Sequence, residues 1–369
     1  LGEWFSAAGG FSFDFLIDGW SLAFATLGVG ICGVVSSFSF RYLHREPGFQ
    51  RYFILLVFFV EGMLFVALAG SIEVLFAGWE VLGLSSALLV AFFHERPLPV
   101  DNGFRVLAFY RIGDACMLAA AVLLHHWAGS GSLSLLFSGS ASGISSLGPE
   151  HVALIAVLLL AAAAAKSALL PFSGWLTRAM EGPTPSSAVY YGASSSHAGC
   201  FLLLRASALI GSSPVARALT AAVGLATAGY AAVVGRAQTD VKSKLCFASL
   251  TQVGVIVVEI SLGWTFLAFL HMTGNACLRL LQFLTAPNAL HDLHELENDL
   301  GQRLNLEREP PRTKGHALYL FALERGFLDG LIERWFSDPL ERLVLHLEDF
   351  DRGLCRASSR LLGGGGDAG

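Results

Sequence analysis

Charge is scarce in this sequence. Asp, Glu, Lys and Arg make up 14% of the 369 residues and hydrophobic types 54%, where a soluble domain carries about 25% charge. That shortage excludes an ordinary soluble protein. The net charge of −5 decides little, because in a membrane chain placement of charge matters more than its sum, and no nucleic-acid partner is expected. Cysteine patterning is also missing. Cys32, Cys116, Cys200, Cys246, Cys277 and Cys355 show neither CxxC nor Cys/His spacing, and five of them lie in apolar segments, as small core residues do. No metal site and no cofactor are expected in this chain. The first twenty residues lack a basic stretch leading into an apolar core, so no signal peptide is read there. There is no initiator methionine, and the chain is expected to begin inside a longer protein.

What is present is a succession of apolar runs, several of them near the roughly 20 residues that cross hydrocarbon. The fold class expected is an all-α polytopic membrane protein. About nine spans are read, at 19–40, 52–70, 72–93, 104–125, 151–170, 186–210, 215–235, 245–262 and 263–285. Three regions follow: an outer-side segment at 1–18, a transmembrane cation-conducting domain at 19–285, and a tail at 286–369. The stretch 128–149 reads as an uncharged Ser/Gly loop. The tail opens with a polar linker over 291–315 and ends in a glycine-rich run at 363–369. Between them, 316–350 reads as one amphipathic helix with Leu320, Leu323, Phe327, Leu328, Leu331 and Trp335 on its apolar stripe.

Orientation follows from basic residues in short loops. Arg41, Arg45, Arg51, Arg96, Arg105, Arg178, Arg236, Lys242 and Lys244 fall on one side, and only Arg205 and Arg217 on the other. The basic side is expected to be cytoplasmic, with the N-terminus outside and the tail inside, in a bacterial inner membrane.

Lys166 is the most informative single residue. It lies near the end of 151-HVALIAVLLLAAAAAKSALLP-171, where a bare ammonium costs about 2.5–3.5 kcal/mol on insertion scales. Pro171 cannot donate to the preceding turn, so a discontinuous helix is expected beside the lysine. Other ionisable residues expected at membrane depth are Glu61, Glu73, Glu80, Arg111, Asp114, His197, Glu259, His271 and Arg279. Glu73 is close enough to a span end to reach the interface. Arg111 and Asp114 stand at i, i+3 and can pair along one face. Glu80 has no basic residue on its own helix, so its partner must come from another, and Lys166 is the expected one. His197 follows four small or hydroxyl residues in 191-YGASSSHAGC-200, a setting that admits water, and a histidine passes protons near neutral pH. Glu61 is expected to face inward near Glu80, and Glu259 to stand at the outer mouth.

In order, GWE (78–80), RIGD (111–114), AKSALLP (165–171), GPTPSSA (182–188), QTDVKSKL (238–245) and HMTGNACLR (271–279) resemble the antiporter-like subunits of respiratory complex I, chain L or chain 5, and the large Mrp antiporter subunit. The resemblance covers roughly residues 10 to 285. It implies a proton half-channel centred on Glu80 and Lys166 with Asp114 beside them, and Lys242, His271 and Arg279 further along the pathway. The family's loop histidine falls on Tyr191 here. A second family histidine is replaced by Asn275 and a lysine by Arg279, which keeps its proton at physiological pH. With these departures and the polar tail, the chain is most similar to the DabB type, the membrane subunit of bacterial inorganic-carbon accumulation. That resemblance implies a zinc-containing, β-carbonic-anhydrase-like partner of DabA type, with the tail helping to dock it. CO2 hydration would then take place on the partner, driven by proton or sodium influx, and this chain would be no enzyme itself. The alternatives are a proton-pumping subunit of NADH-quinone oxidoreductase, an Mrp-type antiporter subunit, or a non-conducting scaffold.

Overall fold

The computed structural model describes residues 6–7, 11–134, 147–193, 195–238, 240–286, 316–327, 334 and 338–363. Two short strands, β1 (Ser6–Ala7) and β2 (Phe11–Ser12), pair antiparallel. Everything else that is regular among the described residues is helical.

Long helices follow one another up and down: α1 (Gly19–Tyr42), α2 (Phe49–Leu68), α3 (Ile72–Val90), α4 (Pro97–Ala128) and α5 (Pro149–Lys166). A segmented stretch contains α6 (Thr184–Ser187), α7 (Ser195–Arg205) and α8 (Ser207–Ser212), before α9 (Pro214–Ala237), α10 (Val241–Ser261) and α11 (Thr265–Thr285). The helix starts are written locally. Asp18 and Ser21 cap α1 reciprocally, with N–H to oxygen distances of 2.7 and 2.8 Å. Asp240 caps α10 through Ser243 N at 2.8 Å. Prolines 97, 149 and 214 open α4, α5 and α9, where the missing N–H costs nothing.

Seven of these helices are long and apolar enough to cross a membrane: α1 to α5, α9 and α10. The other two expected spans take different forms. The 263–285 span is the 21-residue α11. The 186–210 span is not one continuous helix, because a wider π-helical stretch at Ala188–Ala193 separates α6 from α7. Both breaks, here and after Lys166, lie inside the bundle, where protein receives the loose backbone. Just after Lys166, Ala168 takes a left-handed φ of 56°. The Thr227 hydroxyl accepts from Leu170 N at 3.0 Å, and the Trp175 indole donates to Ala165 O at 3.0 Å.

Helix α2 packs on α3, α4 on both α3 and α5, and α10 between α9 and α11. Gly113 lets α4 approach α5 closely, since a Cβ there would meet that of Ala165 at 2.8 Å. The basic ends meet: Thr184 Oγ1 lies 3.3 Å from Tyr42 Oη and accepts from Lys242 Nζ at 3.0 Å, while Arg51 donates to Phe92 O at 2.6 Å. At the opposite end Arg205 pairs with Asp18, and Glu73 with His125 at 2.5 Å.

The tail departs from expectation. The single helix read at 316–350 is instead α12 (His316–Leu323), a 3-10 turn at Arg325–Phe327, and α13 (Asp338–Gly363). Arg325 and Gly326 adopt positive φ angles of 51° and 70°, which no α-helix continues through. Helix α12 docks on α9, where Tyr230 Oη donates to Arg325 O at 2.9 Å and Ala322 is buried. Leu328, Leu331 and Trp335, the whole linker at 291–315, and the glycine run beyond Gly363 lie outside the described residues.

Candidate ion-conduction site

Lys166 ends α5 with 1% of its surface exposed, the deepest cation in the described bundle. Its ammonium donates to Trp79 O at 2.9 Å. It also stands 4.2 Å from the ring centre of Tyr110 and 4.9 Å from that of Trp79, two aromatic faces that attract a cation. Gly83 of α3 faces it, and a Cβ there would come within 2.7 Å of Nζ.

The expected direct Glu80–Lys166 ion pair is absent among the described contacts. Glu80 instead accepts from Arg111 Nη2 at 2.5 Å. Arg111 also reaches Asp114, its i+3 neighbour, at 2.7 Å, so one guanidinium bridges two carboxylates. The reason is helical rotation. Trp79 presents its carbonyl and ring to Lys166, and the next residue is turned by about 100°, which carries Glu80 toward α4. The same offset operates on α4, where Tyr110 covers Lys166 and Arg111 points to Glu80. Asp114 and Glu80 nonetheless stand on α4 and α3, the two helices whose aromatic rings enclose Lys166.

From Lys166 a file of polar groups crosses the bundle toward α11. Tyr110 Oη is hydrogen-bonded to Tyr190 Oη and lies 3.3 Å from Ser195 Oγ. Just past Lys166, the Ser167 hydroxyl donates to Ser196 O at 2.6 Å. Ser196 Oγ is 3.4 Å from Nδ1 of the wholly buried His197. On its other side, His197 Nε2 lies 3.1 Å from Asn275 Nδ2. The Asn275 oxygen accepts from Arg279 Nε at 3.3 Å, and Arg279 continues to Gln282 Oε1 at 2.6 Å. One turn back from Asn275, His271 is held between Glu259 at 3.0 Å and Gln252 at 2.8 Å.

Placement thus divides the expected site residues. Lys166, Asp114 and Glu80 form one centre, and His197, Arg279, His271 and Glu259 form a second around Asn275. Lys242 joins neither; it stands at the basic end of the bundle with Thr184. Glu61 is a correction. The inner face of α2 is Tyr52, Leu56, Phe59, Gly62, Met63 and Val66. Glu61 continues the outer stripe of Ile54, Val57 and Phe58 and is exposed there, away from Glu80.

Several contributors escaped sequence reading: Trp79, Tyr110, Tyr190 and Gln282. Trp79 and Tyr110 carried a usable signal, since each immediately precedes an expected charged residue.

Comparison with known proteins matches the same region. The family described as NADH:quinone oxidoreductase/Mrp antiporter, TM covers residues 69–315, and that of the complex I chain 5 N-terminus covers 4–53. NADH-quinone oxidoreductase subunit L of Mycobacterium tuberculosis is 31% identical over 310 residues, 83% of this chain and 48% of that protein. NADH-ubiquinone oxidoreductase chain 5 of Hylobates lar is 30% identical over 304 residues, 82% of this chain and 49% of that protein. The chain therefore spans about half the length of these relatives. Among solved structures, the Mrp complex of Dietzia sp. DQ12-45-1b superimposes with a TM-score of 0.71 at 31% identity, covering 81% of this chain and 32% of that one. An archaeal membrane-bound sulfane sulfur reductase shares the fold, with a TM-score of 0.63 at 21% identity over 80% of this chain and 61% of that one.

Proposed function

The chain belongs to the NADH:quinone oxidoreductase/Mrp antiporter transmembrane family, and from that premise we propose that it is a cation-conducting subunit of a membrane complex, with protons as the ion its groups fit best. The observation that carries this reading is a buried lysine at a helix break, next to a two-carboxylate cluster and a file of hydroxyl, imidazole and amide groups. An amine desolvated this way holds its proton only as strongly as neighbouring carboxylates allow. Movement of Arg111 between Glu80 and Asp114 would change that field, so charge position at the first centre sets proton release toward the second. Water filling the gaps between Lys166 and Ser196 would complete the connection.

The second centre has two directions. Arg279 lies toward the basic, cytoplasmic end, and its guanidinium does not give up a proton at physiological pH. His271 and Glu259 lie toward the opposite end, where a titratable imidazole and a carboxylate suit exchange with the outside. We assign outer access to His271 and Glu259, and a fixed positive barrier to Arg279. This polarity favours influx toward Lys166 over passage through α11 to the cytoplasm.

The finer proposal is that this influx energises inorganic-carbon uptake, with hydration of CO2 to bicarbonate on a zinc-containing cytoplasmic partner of DabA type. Asn275 and Arg279, in place of the family's histidine and lysine, favour this one-way reading. A place in NADH-quinone oxidoreductase or an Mrp antiporter fits the relatives equally well. Purification of the intact complex tests both levels. Proteoliposomes holding it should acidify under an imposed gradient, and the Lys166→Ala complex should not. A stoichiometric zinc-binding hydratase in the preparation supports the carbon reading, whereas quinone reductase or sodium/proton exchange activity replaces it.

A further inference from the structure

Glu61 is a carboxylate on the outer surface of a membrane helix, set among apolar residues. It lies roughly two turns before the Leu68 end of α2, on the order of 10 Å along the axis at the rise of an α-helix. No hydrogen-bond or ion-pair partner reaches it among the described residues. Beside it, α1 and α2 leave a groove of about 490 Å³, walled by Val29 and Gly33 on one side and by Phe53, Val57 and Leu64 on the other. Gly30 and Gly33 are open to the outside, with no heavy atom within 4 Å of where a Cβ would stand. Small residues of this kind let a second helix backbone approach closely.

Acyl chains would satisfy the apolar walls but not the acid. A carboxylate facing hydrocarbon is costly, and a glutamate side chain is too short to snorkel from this depth as lysine or arginine does. The occupant must therefore bring a donor to the same depth. We propose that this groove seats a transmembrane helix of a partner membrane subunit, and that the helix carries a lysine or arginine facing Glu61. Such a cation, desolvated together with the acid, would fix the depth and rotation of the partner helix, because removing either member leaves the other charge buried and unpaired. The inference is independent of the conduction path, whose residues stand on α3, α4, α5, α7 and α11.

The intact complex in its native membrane is the object to test. A photo-crosslinking residue placed at Val57, 66% exposed in the groove region, is compared with one at Leu225, 63% exposed on α9. The expected product at Val57 is a single membrane subunit whose crosslinked peptide falls in an apolar span bearing Lys or Arg, with only lipid adducts at Leu225. Glu61→Lys should lower recovery of that subunit tenfold or more, and changing the partner's cation to Glu should restore it. If Glu61→Lys fails to insert, Glu61→Gln replaces it, with an expected loss of at least threefold. Lipid adducts alone at Val57, a crosslinked span without a basic residue, or unchanged recovery in the Glu61 variant that inserts would each overturn the proposal.

Discussion

Gly83 leaves the space that Lys166 Nζ occupies: a Cβ on Gly83 would stand 2.7 Å from the nitrogen. The absence of a side chain on α3 at this position is therefore what admits the ammonium at the end of α5. Gly83→Ala should push the ammonium off Trp79 O and cost about 1–3 kcal/mol, as overpacking does. Ion flux in proteoliposomes is expected to fall at least tenfold while the complex still purifies. Full flux with unchanged thermal stability would show that the ammonium relaxes freely.

Lys166→Ala removes the only described amine at the centre and is expected to abolish flux and leave assembly intact. Glu80→Gln should do the same, because it breaks the Arg111 bridge from one side. Full ion flux or full carbon uptake in a well-expressed variant would refute both roles.

Arg111 holds two carboxylates, at 2.5 and 2.7 Å. Arg111→Gln should lower the melting temperature more than Glu80→Gln does, since it leaves two acids uncompensated instead of one cation half-paired. Adding Glu80→Gln to Arg111→Gln should recover part of that loss. Additive melting shifts in the double variant would mean that the residues do not interact.

Arg279 is assigned as a fixed barrier, so Arg279→Lys, which supplies a titratable group, should raise proton leak toward the cytoplasmic side. Combining it with Asn275→His should raise the leak further, as both changes provide proton carriers in one file with His197. A dye-based leak assay without any imposed substrate checks this, and an unchanged leak would count against the barrier.

Deleting residues 316–369 should release a soluble cytoplasmic partner while the helical body still inserts. Leu343, Leu347 and Phe350 on α13 are exposed large hydrophobics, a face that a partner or headgroups would cover. Retention of the partner at full occupancy would move the docking surface to the loops.

The sequence alone determined the membrane class, most helix boundaries and the break beside Lys166, because each depends on local terms. Hydrophobic run length, capping residues and the missing N–H of Pro171 act within a turn or two of the chain. The family resemblance rested on motifs in order, and the glutamate and lysine it singled out are both near the centre. Which groups face one another was decided only by tertiary structure. A residue's neighbours across a bundle depend on helix rotation and axial shift, and one position changes the direction by about 100°. That is why Trp79 and Tyr110 enclose Lys166 while Glu80 and Arg111 meet each other. The same geometry sent Glu61 outward and brought His197 to Asn275 across 78 positions of chain. The tail shows the opposite limit. Its apolar repeat was legible, but a left-handed pair at Arg325 and Gly326 ends the first helix where periodicity alone would have continued it.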